Sequence, residues 1–233
     1  MKLGILQTDT VRPQLVGRFG EYPDMFMRLL GAADPALEFA VYDAEQGEYP
    51  VRIEDADAYL ITGSKASVYD DEAWIARLKS FVGDLHARRA KLVGICFGHQ
   101  IVADALGGRT VKSPRGWGVG LHTHHFRELP YWHDGGDADF DVLVSHQDQV
   151  AEVAPGTAVL AGSEFCENAV TQLGEHILTF QGHPEFVPDY CREVMNHWRE
   201  DIGEDAYRAG MASLSGEPQS RRAAHWILNF LRR

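Results

Sequence analysis

Over its first 108 residues the chain alternates short apolar runs with amphipathic stretches, and that rhythm narrows the fold more than any other feature. MKLGILQ, LEFAVYDA, DAYLITG and KLVGI are brief, largely apolar and bounded by turn residues, as strands buried on both faces should be. Between them, YPDMFMRLLGAA carries Met25, Leu29 and Leu30 at helical spacing, with Gly31 near its end. DEAWIARLKSFVGDLHARR repeats apolar positions at Trp74, Ile75, Leu78, Phe81, Val82 and Leu85, which predicts an amphipathic helix. FGHQIVADALGG follows KLVGI directly and closes on Gly107 and Gly108, a helix with a glycine stop. The stretch TDTVRPQLVGRFG reads as a loop. Strands and helices alternating in this way predict an open α/β fold, a parallel sheet covered on both faces.

From about Val111 the pattern changes. VGLHTHHF, DVLVSHQ, TAVLAGS, NAVTQLG and HILTFQG are closely spaced strand-like runs, which predict antiparallel strands and hairpins added to the same sheet. DYCREVMNHWREDIG is helical in pattern, a polar, Gly-containing loop follows, and RRAAHWILNFLRR offers Trp226, Ile227, Phe230 and Leu231 for docking. No linker is long or polar enough to divide the chain. One domain over residues 1–233 is expected, with a core of about 1–190 and a C-terminal helical extension over 191–233.

Composition excludes some functions. With 34 acidic against 22 basic residues the formal net charge is −12, opposite to the basic footprint that nucleic acid or an anionic membrane requires. Cys96, Cys166 and Cys191 are too few and too scattered for a disulfide framework or a metal clip, so a reducing, cytoplasmic setting is expected. The opening apolar run is too short for a signal peptide or a membrane span. No metal or other cofactor is expected, and the cluster His122, His124 and His125 reads as solvated or satisfied side chains.

In open α/β sheets ligands sit outside the carboxyl ends of the strands. Three strand-end loops carry candidate chemistry. In GICFG, Cys96 lies between Gly94 and Gly98 at a strand-to-helix step, like a nucleophile elbow whose crowded backbone leaves no room for Cβ atoms. The helix that follows would turn its positive end toward a thiolate, and the Phe97 amide could donate to an oxyanion. A lone free cysteine is also commonly a small core hydrophobe, so the motif alone leaves both readings open. In QGHPEF, His183 and Glu185 stand two positions apart around Pro184, and strand alternation would send both side chains to one face. A histidine reaching a thiol can be its base, and a carboxylate on the other ring nitrogen fixes its tautomer. In ITGSKASVYDD, Gly63 and Ser64 could present further amides.

Taken together, GICFGHQIVADALGG, ITGS and QGHPE resemble, in order, the signatures of class I, triad-type glutamine amidotransferase domains over most of residues 1–190. The resemblance implies a flavodoxin-like α/β fold and a Cys-His-Glu triad that hydrolyses the γ-amide of glutamine. It makes Cys96 the nucleophile, His183 the base and later acid, and Glu185 the orienting carboxylate. Ser64 or Gly63, with Phe97, would supply oxyanion amides, and Gln100 would help hold the glutamine side of the substrate. GWGVGLHTH falls where family members place a strand that receives the substrate's α-amino and α-carboxyl groups, and SHQDQV resembles the family's S-H-x-D-x-V segment, which makes Ser145, His146, Gln147 and Asp148 candidate substrate contacts. Where many members carry Gly-Gly-Pro or Gly-Pro-Gly at the oxyanion loop, this chain has Gly63, Ser64 and Lys65. The chain contains no nucleotide-binding motif and no synthetase region to accept ammonia. Its loops look most like the stand-alone GMP-synthetase-like subgroup, to which plant γ-glutamyl peptidases are similar. Three functions stay open: a free-standing hydrolase of γ-glutamyl bonds, a glutaminase subunit feeding ammonia to a separate synthetase, and a catalytically silent binding module.

Overall fold

The computed structural model describes residues 1–233. The first half runs β1 (Lys2–Gln7), α1 (Pro13–Phe19), α2 (Tyr22–Ala33), β2 (Glu38–Asp43), β3 (Ala58–Ile61), α3 (Ala73–Ala87), β4 (Lys91–Ile95) and α4 (Phe97–Ala105). Every element expected there is present, and α1 is an addition inside the stretch read as loop. Pro13 starts it, where a missing N–H costs nothing, and Gly20 ends it at a φ of 79°. With only Leu15 and Phe19 buried, α1 is too short for apolar periodicity to reveal it.

The second half contains β5 (Arg109–Lys112), β6 (Gly118–Phe126), β7 (Asp139–His146), β8 (Asp148–Glu152), β9 (Thr157–Gly162), β10 (Val170–Leu173) and β11 (Ile177–Phe180). Helices α5 (Pro188–His197), α6 (Arg199–Ile202), α7 (Glu204–Ser213) and α8 (Ser220–Leu231) finish the chain. Two expectations need correction. The added strands do not all join one sheet: β5 and β8 pair with each other as a separate antiparallel ribbon. Only Gln147 separates β7 from β8, and the chain turns out of the sheet there, its carbonyl accepting from the Ser113 amide at 3.1 Å. The segment read as a polar loop after Gly203 also contains α7. That helix buries only Gly210, where a Cβ would come within 2.8 Å of the Val119 side chain, so its packing leaves almost no apolar signature.

The main sheet has nine strands in the order β2-β1-β3-β4-β11-β10-β9-β6-β7. The first five are mutually parallel and follow the 2-1-3-4-5 order of flavodoxin-like folds; β10, β9, β6 and β7 continue antiparallel. Strand alternation sorts the core into two layers. Leu3, Ile5, Leu60, Val93 and Ile95 join Phe26 and Leu30 of α2 and Trp226, Ile227, Phe230 and Leu231 of α8. On the other face, Leu6, Tyr59, Ile61 and Leu92 pack with Ile75, Leu78, Val82 and Leu85 of α3 and with Ile101 of α4. The amphipathic helices thus dock as their patterns require, although Leu29, Trp74 and Phe81 are only half-buried. No helix is long and apolar enough to cross a membrane.

Candidate active site

The carboxyl ends of β1, β3, β4 and β11 converge on one cavity. At the end of β4, Cys96 adopts φ 52° and ψ −101°, a left-handed conformation that costs a non-glycine residue about 1–3 kcal/mol and persists only where its surroundings enforce it. They do so through backbone. The Cys96 amide donates to the Phe180 carbonyl at 2.8 Å, the Gly98 amide to Thr62 at 3.2 Å, and the Gln100 amide to the Cys96 carbonyl at 3.0 Å. The flanking glycines are a packing necessity: a Cβ on Gly94 would lie 2.4 Å from the Gly98 carbonyl oxygen, and one on Gly98 2.5 Å from that of Ile61. Phe97 opens α4, so its amide has no acceptor within the helix, while its ring is fully buried.

His183 and Glu185 are brought to the same place, but strand alternation is not what does it. β11 ends at Phe180, and His183 is held beyond it by a bridge to β7, its amide donating to the Leu143 carbonyl at 2.7 Å. A turn through Pro184 then folds Glu185 back, so that its carboxylate accepts from His183 Nδ1 at 2.7 Å. The imidazole lies flat on Phe186, centroids 3.9 Å apart. Burial works to lower the His183 pKa, but the Glu185 carboxylate and the neighbouring Cys96 outweigh it and raise it to about 10. With Nδ1 engaged, Nε2 is the nitrogen left to face Cys96. Gly63 closes the other side, for a Cβ there would meet His183 Cε1 at 2.8 Å and Cys96 Cβ at 3.6 Å.

The cavity in front of Cys96 has a volume of about 450 Å³ and is lined by the ends of β1, β3 and β7 and by α5. Gly63, Ser64, Gln100, Ser145, His146, Gln147 and Asp148 all line it. Several of these side chains are already committed. Gln100 Nε2 donates to the Asp148 carbonyl at 2.9 Å and to Gln181 Oε1 at 3.1 Å, which spends both amide protons inside the protein. The Asp148 carboxylate accepts from Ser67 at 2.6 Å and Tyr69 at 2.9 Å, clamping the loop after β3 to β8. Burial lowers the His146 pKa to about 3, so the ring is neutral, and its Nδ1 donates to the Asp148 carbonyl at 3.0 Å.

The sequence motifs missed two groups. Gln181 stands inside the QGHPE signature, and its amide reaches Cys96 Sγ at 3.6 Å. The other is an aromatic wall: Trp117, which stands inside GWGVG ahead of β6 but has no assigned role there, and Trp198 after α5, outside every motif, stack with centroids 6.1 Å apart and line the cavity. The histidine cluster also departs in part from expectation. His125 is exposed and pairs with Asp139 at 2.5 Å, but His124 is buried with neither ring nitrogen partnered, and burial lowers its pKa to about 4.

Comparison with known proteins identifies the family. The family model described as Glutamine amidotransferase class-I matches residues 32–195. The chain belongs to the class I glutamine amidotransferase family. A glutamine amidotransferase-like protein of Schizosaccharomyces pombe is 34% identical over 83% of this chain and 81% of its own length. Gamma-glutamyl peptidase 2 of Arabidopsis thaliana is 27% identical over 92% of this chain and 89% of its own. The crystal structure of a glutamine amidotransferase from Methylobacillus flagellatus superimposes with a TM-score of 0.75 over 99% of this chain and 94% of that one, at 22% identity. Family membership, with γ-glutamyl peptidases among the relatives, supports amidohydrolase activity.

Proposed function

We propose that Cys96, His183 and Glu185 act as nucleophile, base and orienting carboxylate in hydrolysing the γ-glutamyl amide bond of glutamine or of a larger γ-glutamyl compound. The observation that carries this reading is the buried contact between His183 Nδ1 and Glu185 at 2.7 Å, on an imidazole set against the strained Cys96 elbow. The chemistry follows from the positions. His183, whose raised pKa holds at Nε2 the proton taken from the Cys96 thiol, leaves the sulfur free to attack the γ-carbonyl carbon, and the oxyanion meets the amides of Ser64 and Phe97. As the intermediate collapses, the C–N bond breaks and His183 returns the proton to the leaving amine. A water, deprotonated by His183, then cleaves the γ-glutamyl thioester, releasing glutamate and restoring the thiol. A reducing, cytoplasmic setting would keep Cys96 available, and residues 1–233 would work as one domain.

The cavity favours a leaving group larger than ammonia. At about 450 Å³ it falls in the range of pockets that hold drug-sized ligands, and the Trp117–Trp198 stack offers apolar area that ammonia cannot use. A second reading, a glutaminase subunit serving a separate synthetase, is supported by similarity to the GMP synthase of Thermomicrobium roseum, of which this chain covers only 42% at 28% identity. A panel assay of the purified chain on glutamine and on γ-glutamyl amides and peptides separates the two. Partner-free turnover that prefers the larger substrates supports the hydrolase, whereas weak glutaminase activity that rises with added cell extract supports the subunit. Cys96→Ala should abolish either activity by roughly 10⁵- to 10⁶-fold; a fully active variant refutes the triad.

A further inference from the structure

Thr8, buried at the end of β1 and outside the cavity lining, belongs to none of the motifs that carry the proposed chemistry. Its hydroxyl lies 3.0 Å from the Gly63 carbonyl oxygen, 3.1 Å from that of Thr62 and 2.9 Å from Thr62 Oγ1. Thr62 Oγ1 accepts from the Thr8 amide at 3.0 Å and is itself 3.2 Å from the Gly63 oxygen. Each hydroxyl has one proton to give. With either direction of the bond between the two hydroxyls, one proton remains for the Gly63 oxygen.

The consequence lies on the opposite edge of that peptide. The Gly63–Ser64 bond is trans, so its carbonyl and its N–H point in opposite directions. With the carbonyl drawn inward to Thr8, the Ser64 N–H is directed to the cavity side, where Gly63 packs against His183 and Cys96. That N–H has no acceptor within the protein. The next peptide is tied in the same sense, its Lys65 amide donating to the buried Asp9 carboxylate at 3.0 Å. We infer that Thr8 is a positioning residue: its hydroxyl, with that of Thr62, holds the Gly63–Ser64 peptide so that the Ser64 amide is preset to receive the oxyanion. The inference rests on the hydrolytic reading of the site. A glycine before the donor leaves this peptide freer to rotate than other residues would, so the pin matters more here.

The test is Thr8→Val, which keeps the shape and removes the hydroxyl, assayed on a γ-glutamyl amide beside Thr8→Ser. The loss of an entire oxyanion donor costs about 10²–10³ in kcat; a donor loosened but still present should cost roughly 10- to 100-fold. The expected pattern is a fall in kcat with KM nearly unchanged, recovery in Thr8→Ser, and a displaced Ser64 amide resonance by NMR. If Thr8→Val fails to fold, Thr62→Val carries the same test through the second hydroxyl. Unchanged kcat in a folded variant, or a loss confined to KM or not rescued by serine, overturns the inference alone. A wild-type chain that turns over no γ-glutamyl amide overturns it together with the proposed function.

Discussion

The Cys96 elbow and the aromatic wall border the same cavity, yet they are built on opposite principles. The elbow is local and over-determined: Gly94, Cys96 and Gly98 fall within five consecutive residues, and main-chain contacts at 2.4 and 2.5 Å forbid a side chain at either glycine. The wall is distant and permissive. Trp117 precedes β6, Trp198 follows α5, both are half-buried, and their stack joins segments about eighty residues apart in the chain. On the proposed reading the elbow would carry the reaction and the wall the choice of leaving group, so that changing one would leave the other intact.

Three substitutions would break or sharpen that contrast. The largest effect is expected on the elbow's side, at Glu185, which holds the imidazole beside Cys96. If the proposed triad holds, Glu185→Gln should lower kcat by about 10²–10⁴-fold, since it would leave the base but lose its orientation, and the loss should be smaller than in His183→Ala. A pH signature accompanies it. The His183 pKa, about 10 in the fold against an ordinary 6.5, means the folded state binds this proton more tightly. That contribution to stability is whole below about pH 6.5 and is lost as pH rises toward 10. The stability gap between wild type and Glu185→Gln, followed by denaturant melts, should therefore narrow across that window; a constant gap contradicts the pairing.

Gly98→Ala tests the elbow itself. The new Cβ would press on the Ile61 carbonyl at 2.5 Å, and overpacking against rigid backbone should destabilise the protein by about 1–3 kcal/mol, read as a lower melting temperature, with activity lost on all substrates alike. An alanine variant of wild-type stability would show the turn to be looser than its contacts indicate. Trp198→Ala is the smallest and the most selective. It should lower kcat/KM for a γ-glutamyl amide with a bulky apolar amine by about 10-fold, in line with the loss of one to two kcal/mol of apolar contact, and leave glutamine turnover within about two-fold. Equal losses on both substrates would remove the wall from leaving-group recognition.

Much of this was legible in the residues, and the limits have physical causes. The parallel half declared itself because its central strands, buried on both faces, must be apolar throughout and their helices must carry one apolar stripe, as Ile75, Leu78, Val82 and Leu85 do, although the edge strand β2 has no buried residue. α1 and α7 escaped because each buries too few side chains to set a period. The ribbon of β5 and β8 escaped because nothing in an alternating run says which edge it will meet. Among the site residues, the loops holding Cys96, His183 and Glu185 were visible as motifs. The roles of Gln100 and Asp148 were not, since a polar side chain at a cavity wall can serve a ligand or the framework, and only the bonds to Gln181, Ser67 and Tyr69 show which protons and oxygens are spent.

By itself the sequence determined the α/β alternation, the glycine-flanked cysteine step and the presence of a histidine and a carboxylate two residues apart. Those depend on neighbours in the chain, where sterics and periodicity act over a few residues. Only the tertiary structure decided that His183 is set by a bridge to β7, that Thr8 reaches the carbonyl of Gly63, and that Trp198 stands across from Trp117. Each of these joins segments far apart in the chain, and such contacts form only where the packing of the whole sheet brings strand ends together.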